Sequence, residues 1–137
     1  MRNIYSHIVE GDNNNKIGIT ALDEPGAGGA NHHYVVDGFN LKKNKCYTGP
    51  WDTCEVEHST SNHIYFQNGG IPDNGVNGVT QEALLAIVED RLSSFQAGPY
   101  PSVDNSEALH HVRKALAFLH NRTIDRIKRQ VEGQEKL

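Results

Sequence analysis

The chain has 137 residues, a formal net charge of −4 and 36 % hydrophobic residues, among them only 4 Phe, 1 Trp and 1 Met. That length suits one domain with a modest core. No run approaches the roughly 18 apolar residues of a membrane-spanning helix. Met1 to His7 offer no apolar leader, so the expected compartment is the cytoplasm. So polar a chain is expected to draw part of its stability from a partner subunit.

The elements follow in chain order. Residues 4–9 and 17–22 read as strands joined by the turn-forming run Gly11-Asp12-Asn13-Asn14-Asn15, a hairpin. Residues 25–31 are a glycine-rich loop. Residues 34–36 read as a third strand, 40–60 as irregular chain and 63–67 as a fourth strand. Asn68-Gly69-Gly70 breaks that strand, and Asp73-Asn74-Gly75 reads as a turn. Near residue 78 the pattern becomes helical. Thr80 is an N-cap, with Glu82 in the first turn where the helix dipole favours an anion. Leu84, Leu85, Ile87, Val88, Leu92 and Phe95 follow a 3.6-residue period. Gly98-Pro99 stops this helix. Asp104 and Glu107 have the spacing of a capping box for a second helix. Its stripe is Leu109, Val112, Leu116, Leu119, Thr123 and Ile127. It runs to about Val131, with Gly133 near its C-cap, and spans roughly 40 Å. The expected fold is α+β: an N-terminal antiparallel sheet, then a helical hairpin with a long last helix, in an oligomer. The expected organisation is a single domain over 1–137, with a β-rich part at 1–78, the hairpin at 79–133 and a tail at 134–137.

Charge is unevenly placed. Residues 1–109 carry 6 basic and 14 acidic side chains, and residues 110–137 carry 7 and 3. A basic segment on an acidic chain points to a local anion site or a solvated helix face, and away from general DNA or RNA binding.

The candidate chemistry lies in a few places. Cys46, Cys54, His58 and His63 form C-x7-C-x3-H-x4-H, and the seven-residue gap is too long for a zinc knuckle. The cysteines read as reduced thiols, with no metal or cofactor expected. Neither H-E-x-x-H nor G-x-S-x-G occurs. His32-His33 and His110-His111 are adjacent pairs that point to different faces. The loop Gly26-Ala27-Gly28-Gly29-Ala30-Asn31 lacks the Lys-Ser/Thr of a Walker loop. It is either a flexible hairpin loop or a place where backbone N–H groups approach a phosphate. Arg122 and Arg126 are four apart on one helical face, with Arg129 three further on. Such stacked guanidinium groups clamp phosphates, and Thr123 adds a hydroxyl donor. Phe95 is either the last core residue of its helix or a platform for a nucleobase. Asn105 is a cap or reads a base edge with its amide. Two competing functions remain open: acid–base degradation of nucleotides by His32, His33 and His120, and nucleic-acid binding by a basic helix over 113–129.

Several blocks carry a family likeness. They are residues 23–32, 63–69 and 75–88, Asp90-Arg91-Leu92, Phe95-Gln96-Ala97-Gly98-Pro99, and Arg122-Thr123 through Val131-Glu132-Gly133. With them the chain resembles the phage Thoeris anti-defence family of cyclic-nucleotide sponges, over about residues 17–37 and 62–133. Gln130 stands where the family pattern expects Gly, and residues 40–60 match no block. The resemblance implies a protein of the infected host's cytoplasm that sequesters, without cleaving, a cyclic ADP-ribose isomer (glycocyclic ADP-ribose) made by a TIR-domain enzyme. It also implies a homo-oligomer, a dimer or a hexamer of three dimers, with separate sites for the cyclic di- or trinucleotides of CBASS defence. By motif, Phe95 would stack on adenine, Asn105 would bind the same ligand, and Arg122, Thr123 and Arg126 would contact phosphates. Gly28, Gly29 and Asn31 would close over it. No catalytic group, metal, membrane or nucleic acid is implied.

Overall fold

The protein is described by a computed structural model that covers residues 1–49 and 59–129. The chain divides into two units, Met1–Asn68 and Gly69–Leu137.

The first unit is a four-stranded antiparallel sheet in chain order, β1 (Arg2–Ile4), β2 (Gly18–Ala21), β3 (His33–Asp37) and β4 (Ser61–Tyr65). Ile4 pairs with Ile19 and Ile19 with Val36; Ala21 pairs with Tyr34 and Tyr34 with Ile64. Directly opposed residues share a face, so one side of the sheet is apolar. The Tyr34 ring meets Phe66 edge-on with centroids 5.6 Å apart. The opposite side carries Asn3, Thr20, Val35, His33, His63 and Tyr65, and Thr20 donates to Asn3 across β1 and β2 at 3.3 Å.

The expected hairpin forms, but its first strand is Arg2–Ile4 and not 4–9. The chain after Ile4 folds into consecutive turns, with Ile8 N–H on the Tyr5 carbonyl, Asp12 on Val9, Asn15 on Asp12 and Ile17 on Asn14. His7 Nε2 donates to the Ile17 carbonyl at 2.7 Å and straps the run. With Ile4 set against Ile19, β2 extends only one residue further toward the turn. Tyr5, Ile8 and Val9 therefore have no strand to pair with and stay exposed. β3 is longer than expected. β4 begins two residues earlier, and Phe66 N–H still reaches the His32 carbonyl at 2.8 Å. The irregular region at 40–60 contains a 3₁₀ turn over Leu41–Lys43, capped by the Asn40 side chain. Cys54 and His58 lie outside the described residues.

The second unit begins with α1 (Ile71–Asn74), a single helical turn where the sequence reads as a turn. α2 (Gln81–Ala97) starts at Thr80, whose hydroxyl accepts from Ala83 N–H at 3.1 Å, and ends at Gly98. α3 (Val103–Lys128) starts two residues earlier than the Asp104–Glu107 spacing implies. Its cap is Ser102, whose Oγ accepts from Asn105 N–H at 3.0 Å. Ser102 keeps an extended backbone (φ −146°, ψ 157°), and Asp104 falls in the first turn, where the dipole favours it. Beyond Arg129, which caps α3, the expected positions Val131 and Gly133 lie outside the described residues.

The hairpin is joined along a regular seam. On α3, Asn105, Leu109, Val112, Leu116, Leu119, Thr123 and Arg126 alternate four and three residues apart and, with Ala115 beside Leu116, are the buried or half-buried positions. This is the 3–4 pattern of packed antiparallel helices. It overturns the expected end of the stripe, because Arg126 is buried and Ile127 is 57 % exposed. A rigid helix keeps its stripe over several turns only by alternating steps of three and four. After a step of four to Thr123, the next inward residue is 126. On α2 the seam is Leu85, Glu89, Leu92 and Gln96. Glu89 pairs with Arg113 at 3.4 Å, and Gln96 Oε1 accepts from Ser102 N–H at 2.9 Å. Ile87, Val88 and Phe95, which the period alone assigns to the core, are exposed.

Candidate ligand-binding site

The sequence-derived candidates fall into three groups. The first is at the turn of the hairpin. Phe95 is 44 % exposed on the last turn of α2. Four residues earlier, Arg91 places its guanidinium carbon 5.5 Å from the Phe95 ring centroid. That is cation–π range, and it gives the ring a cationic neighbour suited to a phosphate beside a stacked base. Asn105 lies across the turn, in the first turn of α3. Its backbone N–H is spent on the Ser102 cap, so its side-chain amide is the group it could offer a ligand. The Gln96–Ser102 bond ties the two helix ends together. Arg91 was not singled out from sequence, although its i, i+4 relation to Phe95 signals the contact.

The second group is near the far end of α3. Arg122 is exposed, Thr123 half-buried and Arg126 buried, and Arg126 is already partnered. Arg129, expected as a third cation of a clamp, instead donates through Nε to Asp125 at 3.1 Å. The two groups are far apart on one chain. Asn105 and Arg122 are 17 residues apart on one continuous helix, which is about 26 Å at 1.5 Å per residue. A single small nucleotide cannot touch both groups of one hairpin.

The third group is the glycine-rich loop, in the first unit. Gly28 and Gly29 have φ of 74° and 80°, a left-handed backbone that glycine adopts without strain. A β-carbon at either would meet nothing within 4 Å, so dihedral strain and not space excludes side chains there. Gly29 N–H closes on Gly26 O at 2.9 Å, and Gly26 N–H on Ala30 O at 2.8 Å. Asn31 anchors the base of the loop. It is 8 % exposed, its Oδ1 accepts from Arg2 at 2.7 Å, and its NH₂ donates to the Asp23 carbonyl. Asp23 accepts from the backbone N–H groups of His32 and His33 at 2.9–3.2 Å. These bonds, that from His32 foremost, hold its carboxyl below the ordinary carboxylate value despite partial desolvation. The His32 ring is buried, and its Nδ1 has no partner among the described residues. Asn31 is thus spent largely on structure, while the backbone of Gly28 and Gly29 is what the loop presents outward.

These features define a small α+β protein whose helical hairpin displays an aromatic and cationic surface at its turn. Residues 59–123 match the family model of the Acb2/Tad1 hairpin domain. The chain is also similar to the protein Thoeris anti-defense 1 of Bacillus phage SBSphiJ7, with 39 % identity over 70 residues, 51 % of this chain and 49 % of that protein. Over the matched stretch this chain is similar to the Acb2/Tad1 hairpin domain, and the resemblance to the Thoeris anti-defence family is borne out there. The chain spans about half the length of the curated relative it matches. The matched hairpin stretch takes in β4, α1, α2 and most of α3, and with them Phe95, Asn105, Arg122 and Thr123. Arg126 and the loop of Gly28, Gly29 and Asn31 lie outside it. No helix among the described residues is long and apolar enough to cross a membrane.

Proposed function

We propose that this chain is a phage anti-defence protein that sequesters a cyclic ADP-ribose isomer in the host cytoplasm without cleaving it. The observation that carries this reading is the hairpin turn, where an exposed Phe95 with Arg91 at its ring ends α2, Asn105 lies in the first turn of α3, and the Gln96–Ser102 bond joins the two helix ends. An aromatic face, a cation and an amide are what an adenine linked to a diphosphate requires. The arginine group about 26 Å away along α3 completes the site from a second copy, or serves separate sites for cyclic di- or trinucleotides. Exposed Ile87, Phe118, Ile124 and Ile127 give the hairpin apolar surface for self-association into a dimer or hexamer. Sequestration needs tight binding and slow release, not catalytic groups.

The test mixes the purified protein with the product of a TIR-domain enzyme, and separately with cyclic di- and trinucleotides. Free ligand is removed, the protein is denatured and what comes off is identified by mass spectrometry. Intact cyclic ADP-ribose isomer, about one per site, is the expected result. Linear products would make the protein an enzyme, and nothing bound would end the proposal. Phe95→Ala is expected to weaken binding by about 5- to 150-fold, the equivalent of roughly 1–3 kcal/mol per stacked base. Arg122→Ala is the clean test of the arginine group, because Arg122 is exposed while Arg126 is buried and cannot be changed without touching the fold.

A further inference from the structure

Away from the hairpin, the polar side of the sheet holds two imidazoles in contact. His33 Nε2 and His63 Nδ1 are 2.9 Å apart. The contact is diagonal across neighbouring strands, because His33 is paired with Tyr65 and His63 with Val35. The two rings are 5.1 Å apart at their centroids and tilted by 33°. The Tyr65 ring stacks on His33 at 4.2 Å with an interplanar angle of 17°, which opposes tilting of that imidazole and leaves it free to turn in its own plane. His63 is exposed, so the pair opens to solvent.

We propose that His33 and His63 form a bidentate site for a borderline transition-metal cation of the Zn²⁺, Ni²⁺ or Cu²⁺ class. Imidazole nitrogens bind these metals at about 2.0–2.1 Å. Two such ligands at a right angle are therefore separated by about 2.9 Å, the separation the sheet already sets. In the metal-free pair one ring donates its hydrogen to the other. On binding, that hydrogen moves to the other nitrogen of its own ring, and the two rings, set end to end with centroids 5.1 Å apart in the metal-free pair, turn in their own planes until both lone pairs face the cation. The change is a tautomer shift of a neutral imidazole, with no net proton gained or lost. No third His, Cys, Asp or Glu joins the pair among the described residues, so water fills the remaining positions. That leaves an open coordination sphere. Ser61–Tyr65 and His33–Asp37 are regular strands in register over five pairs, which fixes the two Cα atoms and lowers the ordering cost of chelation. The site is independent of the nucleotide reading, because none of its atoms belongs to the hairpin turn or to the arginine group.

The experiment is calorimetric titration of the intact protein with NiCl₂, followed by NMR of the histidine ring protons. One equivalent per chain is expected in the unsubstituted protein, with selective paramagnetic broadening of His33 and His63. That equivalent should vanish in His63→Gln and in His33→Gln, and persist in His110→Gln/His111→Gln and in His7→Gln. Backbone amide spectra of each variant confirm that the sheet is intact. His63 is exposed, so its replacement is expected to leave the sheet folded even if that of His33 does not. Absence of binding, binding that survives His63→Gln, or broadening centred on other histidines would overturn the proposal.

Discussion

The two units are held together by different physics. Among the described residues of the sheet unit, the buried ones are Ala21 and three polar ones, Asn31, His32 and Ser59. In the hairpin unit the seam is the run of Leu109, Val112, Leu116 and Leu119 against Leu85 and Leu92, closed by caps at Thr80 and Ser102. Hydrogen bonds to fixed partners locate the first unit, and apolar area stabilises the second. The candidate residues divide the same way. In the sheet unit they are backbone positions on a loop whose own side chains are structural. In the hairpin they are side chains displayed on a rigid support. The sheet unit should therefore respond to pH and to loss of single polar partners, and the hairpin to truncation and to loss of caps.

The largest expected effect is on the hairpin. Leu116, 7 % exposed at the middle of the α3 seam, should cost about 2–5 kcal/mol on truncation to Ala. Hydrogen exchange resolves the comparison. Protection should fall across α2 and α3 while β2 and β3 keep theirs, and equal loss in both units would show that they unfold as one. Next comes Asn31→Ala in the sheet unit. It removes the acceptor of Arg2 and the donor to the Asp23 carbonyl, and is expected to cost about 1–3 kcal/mol because a buried polar group is left unpaired. Protection should then be lost at the loop and β3, with α2 and α3 unaffected.

The next effect is smaller and is carried by Asp23 in the sheet unit. Asp23 has its carboxyl lowered from the ordinary 3.8 by the backbone N–H groups of His32 and His33. A lowered value means that the ionised form is favoured by folding. The contribution is present above pH 3.8 and is lost as pH falls through the folded value below it. Melting of the sheet unit should therefore drop with acid in that window, and Asp23→Ala should flatten the drop. Unchanged acid sensitivity in the variant would assign it to other carboxylates.

The hairpin was largely legible in the sequence, because the periodic leucines, Thr80 and Gly98-Pro99 are local signals that tertiary structure had no reason to override. Two of its misread points have one origin. Asp104 and Ile127 each satisfy a local pattern, but the first helical residue and the stripe's phase are set by neighbours two and four residues away, Ser102 and Thr123. The sheet was legible as strands and not as register. Residues 5–9 look extended until the short β2 leaves them unpaired. The Asp23–Asn31–His32 network joins residues eight to ten apart with no period, and nothing short of the folded loop reveals it. Of the site, Phe95 was visible as a residue but not as an exposed one. Its exposure follows from Gln96 and Leu92 holding the seam positions on either side of it.

The smallest stability change carries the most information about the site. Ser102→Ala removes the hydroxyl that holds Asn105 N–H at 3.0 Å, and a lost N-cap costs about 1 kcal/mol. That is too little to unfold a helix of 26 residues, and fraying is confined to its first turn, which carries Asn105. The Gln96–Ser102 bond uses the backbone N–H of Ser102, so it survives the substitution and keeps the two helix ends joined. Ser102→Ala should therefore weaken nucleotide binding more than Arg113→Ala. The latter breaks an exposed ion pair on the flank of the same hairpin, worth less than about 1 kcal/mol, and leaves the turn alone. If binding falls equally in both variants, the ligand senses hairpin stability as a whole. If only the cap variant weakens it, the first turn of α3 is part of the binding surface.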